Sequence, residues 1–426
     1  MGCGTWPTRD CGGDSGRPSL ARRPLAVTTV SLWLDTPYAP CPSLDRDITV
    51  PVAIIGGGIS GISTAYWLSQ HGIHCAVLEQ HTVASGATGR NAGFLLEGTV
   101  PDYPELAAAW GRATARALWD FTIENRRRVQ EACASEGIDC DLVSCGSVVA
   151  AASDEELAAL TLHADMLAQD GYACDLLDRR AVREELSGAG AFAGGLRNPR
   201  DHGVHPVRFV RGLQRAAERG SAVIFENTMV RAIARDGSTW FVVTPSAVLR
   251  ADHIVLSLNA YTSLVDPTWT NMIQPVRGQV LATGPVGPRR FRHLFYANQG
   301  FEYWRQLPGG EIVLGGLRHL AIQEEVGTRD LLHARIQDAL ERYLRDLGVP
   351  SSIHVKHRWS GIMGFTPDRL PLIGPVPGRE GLYIAGGYSG HGLAFAFLAG
   401  RMIAQLVATG ATEYPHVLFP QRLIRM

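Results

Sequence analysis

Apolar and polar positions follow the periods of a mixed α/β protein. Residues 49–55 form a short, largely apolar and β-branched run, which predicts a strand buried on both faces. Apolar residues at helical spacing follow from Ile62 and end near Gly72, which predicts a helix. Residues 75–78 are apolar again and predict a second buried strand. The pattern is therefore strand, turn, helix, strand.

A similar unit recurs near the other end of the chain. Residues 382–385 predict a strand, residues 386–392 form a glycine-rich loop, and residues 393–407 predict an apolar helix. Between the two units, residues 241–243 and 311–314 read as strands. Residues 330–347 read as an amphipathic helix. Two strand–loop–helix units so far apart suggest one long cofactor held from both ends of the chain.

The first loop carries the pattern G-x-G-x-x-G at Gly56, Gly58 and Gly61, with the acid Glu79 about 20 residues further on. The first glycine permits a tight turn, the second lets backbone approach a pyrophosphate, and the third lets helix and strand pack closely. The helix N-terminus offers free N–H groups to phosphates, and Glu79 can accept hydrogen bonds from a ribose. A chance glycine turn is the alternative; residues 188–194 look like such a case, because no strand precedes them.

Composition narrows the function further. The chain has 426 residues, which suits two domains, and its 40 basic and 41 acidic residues give a net charge of −1. This balance offers no cationic surface for nucleic acid or for an anionic membrane. Lys356 is the only lysine, which excludes most Schiff-base chemistry and a P-loop.

The eight cysteines include no C-x-x-C pair, so no metal site is predicted, and scattered reduced thiols indicate a cytoplasmic protein. No apolar run reaches the ~18 residues of a membrane span. Residues 1–47 are predicted to be a flexible extension. Arg22 and Arg23 leave a twin-arginine export signal as an alternative.

The glycine loops, together with four further segments, resemble the D-amino-acid oxidase-like superfamily of FAD-dependent amine oxidoreductases, especially its γ-glutamylputrescine oxidase-like branch. The further segments are residues 33–36, 203–206, 254–261 and 359–374. The resemblance implies an α/β (α+β) fold: a Rossmann-like FAD domain built from residues 48–100, 200–262 and 355–412, and a substrate domain with a mainly antiparallel sheet. That second domain would hold residues 101–199 and 263–354, leaving 413–426 as a tail.

The resemblance also implies the cofactor contacts. The implied residues are Gly56, Gly58, Ile59, Ser60, Gly61, Glu79, Gln80, Gly89, Arg90, Asn91, Ala92, Gly93, Val230, Ala260, Gly361, Gly387, Tyr388, Gly390, His391, Gly392 and Leu393. A helix that starts at Leu393 would point its positive end at the flavin and stabilise the reduced form.

The sequence departs from the superfamily at four places. Gly361 and Arg90 stand near the Cys and His positions through which covalent members attach flavin, so non-covalent FAD is expected. Ala394 replaces a lysine that helps to hold substrate carboxylate. Val313 or Leu314 replaces a lysine associated with oxygen activation. Sarcosine as substrate and fast reaction with oxygen are therefore in doubt.

Three residues are candidates for contact with substrate or reacting centre. Arg305 resembles an arginine at the substrate border and could clamp a carboxylate, or it could be a surface ion-pair partner. Tyr303 and Trp304 alternate along a strand, so only one should face the site. His391 could be a cation near the flavin or a spacer with a satisfied side chain. For Arg277, a flavin contact and a structural role are both open.

The function implied is oxidation of a C–N bond in an amine or amino-acid-like substrate. Hydride would pass to flavin N5, the imine would hydrolyse, and oxygen would reoxidise the flavin to give hydrogen peroxide. One alternative is an amine dehydrogenase that passes electrons to a quinone or a carrier. Another is a non-catalytic flavoprotein subunit.

Overall fold

A computed structural model describes residues 30–424 of the chain. Arg22 and Arg23, on which the export alternative rests, lie outside the described residues.

Within residues 30–424, nineteen strands and nine α-helices alternate along the chain. The strands are β1 (Ile48–Ile55), β2 (Cys75–Leu78), β3 (Phe94–Leu95), β4 (Val143–Ser144), β5 (Ser147–Ala151), β6 (Asp175–Asp178), β7 (Gly194–Asn198), β8 (His202–Gly203), β9 (Ala222–Phe225), β10 (Ala232–Asp236), β11 (Thr239–Val243), β12 (Val248–Leu256), β13 (Gln274–Thr283), β14 (Leu294–Ala297), β15 (Glu302–Gln306), β16 (Ile312–Gly316), β17 (Val355–Phe365), β18 (Leu372–Pro375) and β19 (Leu382–Gly386). The helices are α1 (Ile59–Gln70), α2 (Tyr103–Trp110), α3 (Arg112–Glu136), α4 (Asp154–Gln169), α5 (Arg179–Glu185), α6 (Pro206–Arg219), α7 (Thr262–Val265), α8 (Ala334–Asp346) and α9 (Gly392–Thr409).

The first sheet carries both glycine loops. Its central strands β9, β2, β1, β12 and β19 run parallel, and β10, β11 and β18 add antiparallel pairs at its edges. Residues 52–55 of β1 are fully buried, as a central strand of a sheet covered on both faces requires. Because parallel strands end at the same sheet edge, the loops after β1 and β19 open on the same side.

The second sheet has the order β17-β13-β16-β15-β14-β5-β7-β6, and its pairs are antiparallel except β14 with β5. A small third sheet joins β3, β8 and β4. The expected fold class, a Rossmann-like domain with a mainly antiparallel second domain, is confirmed.

Helices α1 and α9 lie against each other behind the first sheet. A side chain at Gly400 of α9 would collide with the backbone of Ser63 in α1, at 2.5 Å, so this glycine sets the close approach of the two helices. Of the helices in residues 30–424, only α9 is long and apolar enough to cross a membrane, and most of it is buried in the core.

Two elements differ from the sequence predictions. Helix α8 begins at Ala334 rather than near 330, because Asp330 bonds to Arg90 and the Leu331 carbonyl accepts from Gln279. Strand β17, assigned to the FAD domain, pairs with β13 in the second sheet.

The two terminal segments are also packed. Residues 30–47 of the extension lie on the protein, with Trp33 and Leu44 fully buried. The tail is held by Arg422, which bonds to Asp368. Apolar side chains therefore anchor the part of the extension nearest to β1.

Candidate active site

One large cavity is lined by residues of both sheets and both glycine loops. Its volume is about 1550 Å³, whereas small-molecule sites usually span roughly 300–1,000 Å³. The space therefore suits a large cofactor together with a substrate.

The first glycine loop shapes one end of the cavity. Gly56 has a φ of +105°, and a side chain there would lie 2.6 Å from the Ser257 carbonyl oxygen. A side chain at Gly61 would collide with the carbonyl of Gly56. The Ile59 N–H, at the start of α1, donates to Thr88 Oγ1 at 2.9 Å. Gly56, Gly58, Ile59 and Ser60 therefore border the cavity at the start of α1, the place where a helix N-terminus can meet a phosphate.

Glu79 lines the cavity at the end of β2. One carboxylate oxygen accepts from the Gly57 N–H at 2.7 Å and the other from the His81 N–H at 2.9 Å. Burial raises the pKa of this carboxyl group, and the two N–H bonds oppose that rise. Glu79 therefore braces the glycine turn while it borders the place predicted for a ribose.

One hydrogen bond joins the two glycine loops directly, and a second connects the later loop to Asn259 after β12. The hydroxyl groups of Ser60 and Tyr388 are 2.7 Å apart, and the Gly387 N–H donates to Asn259 Oδ1 at 2.9 Å. These contacts connect residues more than 120 positions apart in sequence. The loops after β1 and β19 therefore form one wall rather than two separate sites.

Two buried polar atoms in the cavity wall lack a hydrogen-bond partner that a bound ligand could supply. His391 Nδ1 and Ser257 Oγ have no hydrogen-bond partner within the described part of the chain, and both residues line the cavity. Buried polar atoms are normally satisfied, so a ligand with donors and acceptors suits this wall. Helix α9 begins at Gly392 with no acidic side chain in its first turn, which leaves its positive end open toward the cavity. The site therefore fits FAD.

Most of the residues predicted to bind cofactor line this cavity. Those that do are Gly56, Gly58, Ile59, Ser60, Glu79, Gln80, Arg90, Asn91, Ala92, Val230, Gly361, Tyr388, Gly390, His391, Gly392 and Leu393. Gly61, Gly89, Gly93, Ala260 and Gly387 do not line it. Close packing behind the wall accounts for two of these small residues, because a side chain at Gly89 would collide with the Ala84 carbonyl, and one at Gly93 with the Val204 carbonyl. Cofactor contact by these five residues stays a prediction.

The structure corrects the Arg305 prediction. The side chain is buried and does not line the cavity. Its Nη1 donates to the carbonyl oxygens of Gly93 at 2.5 Å and Val204 at 3.3 Å, and the guanidinium lies over the Trp33 ring. Arg305 therefore ties the leader segment and β15 to the Gly93 loop, behind the cavity.

The other candidate side chains divide between cavity and core. Tyr303 lines the cavity, whereas Trp304 stacks on Phe295 in the core, which confirms the predicted alternation. Arg277 is buried and pairs with Glu325 at 3.0 Å, so its role is structural. Burial lowers the pKa of His391 to about 4, so its ring is neutral near pH 7 rather than cationic.

Sequence reasoning missed several residues of the cavity wall. Asn259, three residues after the end of β12, has a φ of +47°, and an asparagine close to a strand end is a recognisable turn signal. Arg318 and Met363 also line the cavity, and no local motif distinguishes them. The Arg318 guanidinium lies between the rings of Phe301 and Phe365, 5.5 and 5.3 Å from their centres.

Comparison with known proteins agrees with this geometry. A family model described as FAD dependent oxidoreductase matches residues 51–406. The chain is 28% identical to the γ-glutamylputrescine oxidoreductase of Escherichia coli K12 over 403 residues, covering 90% of this chain and 91% of that one. It is 26% identical to the glycine oxidase of Geobacillus kaustophilus, covering 85% of this chain and 94% of the relative.

Solved structures show the same fold. The crystal structure of the Geobacillus kaustophilus glycine oxidase superposes with a TM-score of 0.75 at 23% identity, covering 88% of this chain and all of the other. The L-proline dehydrogenase of P. horikoshii superposes with a TM-score of 0.74 at 20% identity, and the match covers 90% of this chain and 98% of the dehydrogenase. Because the family model spans most of the sequence, the chain belongs to the family of FAD-dependent oxidoreductases, enzymes whose cofactor is FAD.

Proposed function

We propose that the protein oxidises a C–N bond in an amine that also carries an anionic group. The observation that carries this proposal is the single cavity: the two joined glycine loops line one end, and Tyr303, Met363 and Arg318 line another part of its wall. Bound FAD would accept a hydride at N5 from the carbon next to the amine nitrogen, leaving an imine that water hydrolyses.

The chain's own residues would bind and orient the reactants. A neutral His391 places no positive charge beside the amine, which must be unprotonated to react. The rings of Phe94, Tyr296 and Tyr303 pack edge to face or tilted, with centres 5.2–6.2 Å apart, and form an apolar wall. Such a wall excludes water and holds the carbon chain of a substrate.

FAD would bind without a covalent bond. Arg90 and Gly361 occupy the two positions where covalent relatives attach flavin, and neither offers a nucleophile. The Arg90 guanidinium has partners within the protein, because its Nη1 bonds to Asp330 at 2.6 Å and donates to the Ser360 carbonyl at 3.0 Å. This site would therefore hold the cofactor by contact alone.

Arg318 would bind the anionic group of the substrate. Among the cavity arginines within residues 30–424, Arg90 pairs with Asp330, Arg369 pairs with Glu105, and Arg231 lies beside Val230 at the end predicted for adenine.

Arg318 has no ion-pair or hydrogen-bond partner in that part of the chain, because the nearby Glu325 is taken by Arg277. Two aromatic rings hold the guanidinium by its faces and leave its N–H edges free. A carboxylate could accept two parallel hydrogen bonds from such an edge.

The electron acceptor would be oxygen, giving hydrogen peroxide, or a quinone or carrier. Val313 and Leu314 are fully buried strand residues where relatives carry the lysine associated with oxygen activation. Ala394 lines the cavity in place of the other lysine. These positions favour the dehydrogenase as the second candidate.

Anaerobic flavin bleaching tests the proposed reaction. The purified yellow protein is mixed without oxygen with a panel of amines, each with and without a carboxylate, and the flavin absorbance is followed. We expect carboxylate-bearing amines to bleach the flavin; a panel that leaves it oxidised would favour a non-catalytic flavoprotein. Peroxide formation in air, compared with dye reduction without air, separates oxidase from dehydrogenase.

Variants test the anion site. Arg318→Gln should raise KM for a carboxylate-bearing substrate by roughly tenfold to a hundredfold, the value of a charge-assisted pair. Arg292→Gln removes the same charge from the outer surface and should change neither KM nor kcat. An unchanged KM in Arg318→Gln would place the anion site elsewhere.

A further inference from the structure

The thiols of Cys133 and Cys140 lie in contact at the C-terminal end of α3. Cys133 is in the last turn of α3, and Cys140 follows the left-handed Gly137 that ends the helix. Their Sγ atoms are 3.5 Å apart, and this is the only contact between two thiols within residues 30–424. The reversal of the chain at Gly137 therefore stacks one thiol on the other.

The two thiols differ in access to solvent. Cys133 is half-buried, with Ala134, Ser135 and Gly137 exposed around it, whereas Cys140 is buried beneath. The hydrogen bond shared with the Cys140 thiol lowers the pKa of the Cys133 thiol. A reagent from solution thus meets Cys133 first, and the sulfur next to it belongs to Cys140.

From this arrangement we infer that Cys133 and Cys140 form a dithiol site that hydroperoxides oxidise to an intramolecular disulfide. The Cys133 thiolate attacks the peroxide, so that an S–O bond forms, the O–O bond breaks, and water leaves. The Cys140 thiol then attacks the oxidised sulfur, so that the S–S bond forms and the hydroxyl leaves as a second water. Two thiols and one hydrogen peroxide give one disulfide and two waters.

The surroundings make this a slow, stoichiometric modification rather than peroxidase turnover. The carboxylates of Asp139 and Asp141 act on this thiol pair, and Glu136 ends α3. Within residues 30–424, no cationic side chain is a hydrogen-bond partner of the Cys133 sulfur. Arg219 pairs with Glu136 and Arg208 pairs with Asp141, so these arginines do not stabilise the thiolate. Proximity of the second sulfur, rather than an activated nucleophile, drives the reaction.

The disulfide would link the C-terminal end of α3 to the segment that follows it, behind the cofactor cavity. The Cys140 carbonyl accepts from the His205 N–H at 2.7 Å, at the start of α6. Helix α3 also contacts α9, where Asn125 bonds to the backbone of Leu393 and Leu398. A bond between the sulfurs would restrict the end of α3 relative to α6 and α9. We therefore expect a higher Tm for the oxidised protein.

Peptide mapping tests the inference on the full-length protein. Reduced protein is treated with hydrogen peroxide, blocked with iodoacetamide, and cleaved after glutamate, which separates the two cysteines at Glu136. We expect the two peptides to remain joined until dithiothreitol is added. Cys145, which lies in the same peptide as Cys140, should carry the iodoacetamide label, and this assigns the bond to Cys140. Cys75, buried in β2 with a pKa that burial raises to about 12, should stay a free thiol and serves as the internal control.

Single variants test the order of the steps. In Cys140→Ser, Cys133 should accumulate as sulfenic acid that dimedone labels, and in Cys133→Ser the buried Cys140 should stay unlabelled. Cys174→Ser should leave the disulfide yield of the wild type unchanged. Free thiols at both positions after peroxide, a disulfide from Cys133 to another cysteine, or equal dimedone labelling of Cys140 in Cys133→Ser would overturn the inference.

Discussion

Replacing Arg305 by methionine separates a structural role from a role in substrate binding. The guanidinium donates to two buried carbonyl groups, of Gly93 and Val204, and covers the Trp33 ring. Methionine keeps most of the side-chain volume but removes this donor. The Gly93 carbonyl then keeps the Val204 N–H at 2.9 Å, whereas the Val204 carbonyl loses its donor.

The structure sets the size of the effect. A buried carbonyl left without its partner costs ~1–3 kcal/mol, and a hydrogen bond lost at the Gly93 carbonyl, which keeps another donor, adds about 0.5–1.5 kcal/mol. Removing a buried charge recovers part of its desolvation penalty. We therefore expect the free energy of unfolding to fall by about 1–3 kcal/mol.

Urea unfolding of the FAD-loaded protein measures this loss, and steady-state kinetics measure KM on the same preparation. We expect Arg305→Met to be clearly less stable, to hold FAD more weakly through the Gly93 loop, and to keep KM for a carboxylate-bearing amine. Arg318→Gln should show the reverse pattern, with normal stability and a raised KM. An Arg305→Met protein of normal stability with a strongly raised KM would refute the structural role.

Three further changes test other parts of the structure. Gly56→Ala should weaken FAD binding at least about tenfold, because its side chain meets the Ser257 carbonyl. The control Gly72→Ala is also at positive φ but in open space, and it should cost only backbone strain of ~1–2 kcal/mol. Equal FAD affinities of the two variants would contradict a role of the first glycine loop in binding FAD. A double-mutant cycle of Ser60→Ala and Tyr388→Phe should give a coupling free energy of about 0.5–1.5 kcal/mol in chemical unfolding, and zero coupling would contradict the bond between the loops. Burial raises the pKa of Asp201 from 3.8 to about 7, so the folded state binds the extra proton and stability should fall as pH rises between these values. Asp201→Asn should flatten this part of the stability profile measured by urea unfolding, and an unchanged slope would assign it to another group.

Local pattern was enough to predict the parts of the fold that depend on short segments. Strand β2 matches its predicted bounds, and β1 and α9 differ from theirs by one or two residues. Each is a buried apolar run, closed by glycine in β1 and α9 and by Glu79 in β2. The pairing of β17 with β13 was beyond this reasoning, since register between distant strands depends on the whole sheet.

The side chains that face the cavity show the same limit. Alternation along β15 correctly separated Tyr303 from Trp304. It could not show that Arg305, on the same face as Tyr303, is covered by the Gly93 loop and by Trp33 from the leader segment. The sequence did not identify Arg318 as a cavity residue, because its position depends on two rings brought together by tertiary packing.

The stoichiometry and release of bound flavin test most directly whether the two glycine loops build one cofactor site. The protein is purified, its absorbance spectrum recorded, and the flavin measured in the supernatant after heat denaturation. We predict one FAD per chain, all of it in the supernatant because no covalent bond retains it. Colourless protein that takes up no added FAD would contradict the account.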